Sequence, residues 1–189
     1  MANITYLGER KIRFEWSNIT ELIEEAKKYG ISIGSGVTIG SGVNIQEWVD
    51  IKDDVNIGHG VKIGRFANIR NNVNIANIVS IGSGVTIYDN ANIGNDVAIG
   101  VLTKIGNGVL IGNDIRIGNC VEIGKYSIID SGARVLERIG IGKGVKIGSN
   151  VHIKDDVNIG NRVHIGNSAK IESNTNILHL SDIKEGVLI

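Results

Sequence analysis

A chain of 189 residues in which 20 Lys and Arg balance 20 Asp and Glu has no net field, which argues against nucleic acid or an anionic membrane as partner. Its single cysteine, Cys120, rules out an internal disulfide, and the residues after Met1 do not read as a signal peptide, so a cytoplasmic protein is expected. With 4% aromatic residues, any core has to be built from aliphatic side chains, and this length suggests one globular unit.

In chain order, residues 3–16 read as two short strands around Gly8. A helix over 17–29 is predicted next, with Ser17 or Asn18 as N-cap and Gly30 just past its end. Ile19, Leu22, Ile23 and Ala26 fall at i, i+3, i+4 and i+7, one apolar stripe. Residues 1–30 are expected to cap whatever follows, because the first coil of a solenoid otherwise exposes its core end-on.

From Ile33 to Ile189 every sixth position is apolar: of 27 such positions 26 are Ile and the other is Val135, with no residue inserted or lost. Four residues after each lies a smaller inward position such as Val37, Val43 or Val49, with Thr103, Ser127, Thr175 and Ser181 as polar members. Steps of four and two do not fit a helical period, whereas Val37-Thr38-Ile39 fits a short strand with its ends inward and its middle outward. The residue after the Ile is Gly in 15 of 26 repeats, and two residues later stands Gly, Asn or Asp in 16 of 26, the types that reach positive φ cheaply. Three strands and three turns close a coil of 18 residues, so residues 31–189 are expected to stack about nine triangular coils as an all-β solenoid.

Ile-Gly-Ser-Gly-Val-Thr (33–38), Ile-Gly-Asn-Gly-Val-Leu (105–110) and Ile-Gly-Lys-Gly-Val-Lys (141–146) resemble the hexapeptide repeat of the left-handed parallel β-helix acyltransferase superfamily. The resemblance implies transfer of an acyl group, such as acetyl from acetyl-CoA or another acyl-CoA, to a hydroxyl or amine of a sugar or small metabolite. It also implies a homotrimer of parallel prisms and no covalently bound cofactor. The chemistry needs a general base, commonly His, and donors for the oxyanion.

Four histidines are candidates: His59, His152, His164 and His179. His59, in Val-Asn-Ile-Gly-His-Gly-Val-Lys-Ile-Gly (55–64), is similar to the stretch that carries the catalytic His in acyltransferases of lipid A precursors, which makes it the candidate base. Residues 122–135 are similar to a segment of sugar-nucleotide acetyltransferases that follows a catalytic His-Asp pair. Here Ile-Gly-Asn-Cys-Val (117–121) stands where the pair would be, and Ile128 replaces a second His. The γ-class carbonic anhydrases share the repeat and hold zinc with three His, but His152 and His164 are twelve residues apart on different faces, so no metal site is expected.

Residues 18 apart stack, so columns are legible. Arg116, Arg134, His152 and Lys170 form one; it reads either as a phosphate landing strip, with Arg116, Arg134 and Lys170 as cofactor contacts, or as a solvated face neutralised by Glu122, Glu137, Asp155 and Glu172. Trp48, Phe66 and Leu102 at one corner, with Leu110 above Ile128 elsewhere, are the expected oligomer seam. Asn56, Asn74 and Asn92, and Asn77, Asn95 and Asn113, read as amide ladders. Cys120 is expected to be a partly buried structural thiol. Because the register is unbroken by the extruded loop usual in the family, a non-catalytic rod or assembly scaffold is the alternative, and the last coil should be covered by its own final residues or by another chain.

Overall fold

The computed structural model describes residues 3–8 and 12–189. Two antiparallel strands, β1 (Asn3–Leu7) and β2 (Ile12–Trp16), precede one helix, α1 (Ile19–Lys27). The helix is shorter than the expected 17–29 because Asn18, with extended backbone, accepts the Glu21 N–H and fixes the start there. Its end is marked by Gly30 at φ +67, after Ile31 N–H has returned to the Ala26 carbonyl. Leu22 and Ala26 are the buried members of the stripe.

Everything after Gly30 is a parallel β-solenoid. Strands of two or three residues, with β1 and β2, fall into three sheets of ten, nine and nine strands, and the solenoid makes eight complete coils and most of a ninth. Face 1 carries the outward residues Asn44 to Lys170 in steps of 18, face 2 Ser32 to Asn176, and face 3 Thr38 to Asp182. β1 extends face 1 beneath the first coil, Thr5 opposite Val43 and Leu7 opposite Ile45. There Leu7 is fully buried, and the Trp16 indole donates to Thr5 Oγ1 at 2.9 Å.

The core is the aliphatic ladder that the sequence announces. Ile45, Ile51, Ile57 and their successors through Ile171 are nearly all under 5% exposed, each contributing roughly 2–3 kcal/mol of burial. Two polar inward residues are satisfied in place: Thr103 Oγ1 donates to the Gly118 carbonyl and Ser127 Oγ to the Gly142 carbonyl.

The turns differ from expectation in a consistent way. The third residue of every turn from Gly36 to Gly186 has positive φ, including Trp48 (60°), Ile78 (61°), Leu102 (56°) and Tyr126 (61°), types that avoid this region. The reason is stacking. A positive φ aims the amide at the coil beneath, where Ile78 N–H donates to the His59 carbonyl at 2.9 Å and Cys120 N–H to the Val101 carbonyl at 2.9 Å. A hydrogen bond per turn offsets a local cost of roughly 1–3 kcal/mol.

One further expectation is corrected, and of the two alternatives for the last coil the first is set aside. Cys120 is exposed, because the third turn position projects from a corner. The final residues do not fold across the last coil: Leu188 bridges Lys170 in parallel and the Glu172 N–H donates to the Ile189 carbonyl, so the chain simply continues face 1.

Candidate functional site

Many second turn residues form a ladder of side chains that accept an amide N–H from the coil beneath. At the corner between faces 3 and 1, Ser41 N–H donates to His59 Nδ1 (3.0 Å), His59 N–H to Asn77 Oδ1 (2.8 Å) and Asn77 N–H to Asn95 Oδ1 (3.1 Å). His59 is thus a rung, and accepting at Nδ1 places the hydrogen of a neutral ring on Nε2. Ser41 Oγ, also 3.0 Å from Nδ1, can accept from the other tautomer. The Asn columns behave as expected, Asn56 Nδ2 donating to Asn74 Oδ1 at 3.0 Å and Asn74 Nδ2 to Asn92 Oδ1 at 3.1 Å.

Arg116, Arg134, His152 and Lys170 are register neighbours on face 1, successive rungs about 4.8 Å apart. Of the four acids expected to neutralise them, three are engaged elsewhere: Glu172 with Lys154 (2.6 Å), Glu137 with Arg138 (3.4 Å), and Asp155 with the Glu137 N–H (2.9 Å). Among the described residues no ion pair involves Arg116, Arg134 or Lys170. Arg116 and Arg134 border a cavity of about 490 Å³ whose floor is small, Ser80 and Ala98, and whose rim carries Asp96, Asp114 and Ile78. Its lower end adjoins His59 through the Ile78 N–H bond to the His59 carbonyl. The arginines stand further along: the turn leading to Arg116 lies three coils above that of His59, roughly 14 Å. The structure therefore puts His59 at the corner that opens onto face 1 and Arg116 and Arg134 on that face three coils further along, with His59 outside the cavity that the arginines border.

The other histidines are scattered. His152 sits in the basic column. His164, on face 3, has Nδ1 3.0 Å from Asp182 Oδ1, and Lys184 Nζ also pairs with Asp182. Both contacts help hold the Asp182 carboxyl below its ordinary value, the Lys184 hydrogen bond more than the His164 one. This carboxylate–imidazole pair was legible as a spacing of 18 residues but is not singled out by any local motif. His179 lies at the corner between faces 2 and 3, its Nδ1 accepting the Asn161 N–H at 2.7 Å.

The residues of the expected seam lie on two surfaces, as the columns imply. Trp48, Phe66 and Leu102, 62–63% exposed, line the corner between faces 1 and 2, whereas Leu110 and Ile128 lie on the opposite face 3.

The model of the family "Bacterial transferase hexapeptide (six repeats)" matches residues 102–137 and 138–173. No curated protein matches the sequence. Among solved structures, a UDP-N-acetylglucosamine acyltransferase from Francisella novicida is 21% identical over 84% of this chain and 62% of its own (TM-score 0.41). An Arabidopsis UDP-N-acetylglucosamine acyltransferase is 17% identical over 83% and 62% (TM-score 0.44). The acetyltransferase domain of PglB from Neisseria gonorrhoeae is 15% identical over 65% and 61% (TM-score 0.43). The chain spans less than two thirds of the length of each of these neighbours. A six-residue register held without interruption builds a three-sided parallel β-solenoid, and over residues 102–173 that register is similar to the transferase hexapeptide family.

Proposed function

We propose that the protein is an acyltransferase that moves an acetyl group from acetyl-CoA, or another acyl group from its CoA thioester, to a hydroxyl or amine of a sugar or small molecule in the cytoplasm. The observation that carries this reading is the transferase hexapeptide match over residues 102–173, the part of the solenoid that contains Arg116, Arg134 and Lys170. Those three cations have the chemistry to hold the carrier's phosphates, Arg by bidentate hydrogen bonds and Lys as a point charge.

His59 is the base in this reading. To take the acceptor's proton on Nε2, the ring hydrogen moves to Nδ1 and is donated to Ser41 Oγ, giving up the Ser41 amide contact. The acceptor oxygen or nitrogen then attacks the thioester carbonyl, the C–S bond breaks, and the CoA thiolate takes a proton.

We further infer a homotrimer that uses the apolar corner of Trp48, Phe66 and Leu102, with Leu110 and Ile128 facing a second contact. The unbroken register supports one other reading, a non-catalytic rod or assembly scaffold. Titration calorimetry with acetyl-CoA separates the two. Saturable binding that weakens about tenfold on Arg134→Ala supports the transferase, and His59→Ala should then abolish turnover without changing binding. The absence of any heat of binding would leave the rod.

A further inference from the structure

On face 2 one outward position breaks the pattern. Gly140 is the only glycine at an outward strand position of the solenoid. Its backbone is not in the left-handed region, and a Cβ there would meet only the Asn158 side chain, Oδ1 at 3.2 Å. Neither conformation nor packing calls for glycine, and glycine weakens a strand. What it does is leave a notch of about 340 Å³ bordered by Glu122, Lys143, Asn158, Asn161 and His179. A concavity of about 310 Å³ round the corner shares Lys143, Asn161 and His179 and adds Arg162.

The turn ladder fixes which atoms these residues present. Lys143 N–H donates to Asn161 Oδ1 at 2.8 Å, which leaves Asn161 Nδ2 as a donor. Asn161 N–H donates to His179 Nδ1, which puts the hydrogen of the neutral ring on Nε2. Neither Lys143 nor Arg162 makes an ion pair among the described residues. One end of the notch is therefore a cluster of donors on a cation, an amide and an imidazole, with the Arg162 cation round the corner, while the Glu122 carboxylate, an acceptor, stands at the other end. Several convergent donors with cationic charge suit the three oxygens of a phosphate, and a carboxylate one rung away suits hydroxyl hydrogens.

We propose that the Gly140 notch binds a small hydroxylated phosphate ester, its phosphate held by Lys143, Asn161 and His179 and its hydroxyl groups by Glu122. The site lies on a different face from the Arg116–Arg134 trough and does not depend on acyl transfer.

The test is calorimetric titration of the whole chain with glucose 6-phosphate as probe. Saturable binding is expected, with inorganic phosphate and glucose each at least about tenfold weaker. Gly140→Val, which fills the notch, keeps every polar group and favours a strand, is expected to weaken binding about tenfold or more while the thermal midpoint holds or rises. Lys143→Gln should weaken it similarly without altering the fold, and Arg116→Ala should leave it unchanged. No saturable binding, undiminished binding by Gly140→Val or Lys143→Gln, loss on Arg116→Ala, or inorganic phosphate binding as well as the ester would each overturn the proposal.

Discussion

Ile78 shows how far stacking overrides residue preference. A β-branched side chain is held at φ 61° and 64% exposed, in a column where the equivalent residues are Gly60 and Asp96. Because Asn tolerates this region, Ile78→Asn is expected to raise stability by about 1 kcal/mol, seen as a higher denaturant midpoint with unchanged slope. Asp182 supports a prediction on pH. Its carboxyl is held below the ordinary 3.8 by Lys184 and then His164. A depressed carboxylate adds stability that is fully present above that ordinary value and is lost as pH falls through the lower folded value. Removing the group with Asp182→Asn should therefore flatten the thermal midpoint against pH below about 4 and leave its shape above pH 5 unchanged. At this scale the candidate site was only partly legible. The basic column follows from a spacing of 18, but that Glu137, Asp155 and Glu172 turn to other partners depends on side-chain directions that no spacing encodes.

Among the elements, α1 matters beyond its length. Its buried Leu22 and Ala26 belong to the same core as Ile31 and the first coil. Asn18 fixes its start, and Glu21 reaches back to the Ser17 N–H at 2.9 Å, a reciprocal arrangement of the capping-box kind. Asn18→Ala is expected to cost about 1 kcal/mol, and since the helix shares the solenoid core, the loss should appear in global unfolding rather than as local fraying. The sequence offered Ser17 or Asn18 as the cap, and the Glu21 N–H bond to Asn18 Oδ1 decides between them. The turn ladders were less legible: Asn rungs announce themselves, but His59 and His179 serve in the same second-turn position, and only their Nδ1 contacts reveal it.

For the whole molecule, the exposed apolar corner argues for self-association. Trp48, Phe66 and Leu102 project together from a corner. Exposed apolar side chains clustered in this way mark contact surfaces more often than chance. Sedimentation should give three times the 20.2 kDa chain mass, and replacing Trp48 and Phe66 by Lys should give the single-chain mass with the circular dichroism spectrum unchanged. A wild-type chain that stays monomeric at all concentrations would remove the trimer.

The sequence alone determined the architecture, because a register of six with buried Ile at one position and small apolar residues four later admits one periodic solution, and every coil repeats the solution of its neighbour. It also determined which residues stack, since 18 residues per coil allow no slip without burying polar side chains. Only the tertiary structure decided how the turns are wound, which ring nitrogen of His59 and His179 is engaged, and which charges find partners. Those outcomes are set between coils: the amide one coil away makes positive φ favourable for Trp48 and Ile78, and the same inter-coil hydrogen bonds fix the imidazoles, so the deciding energy is absent from any local stretch of chain.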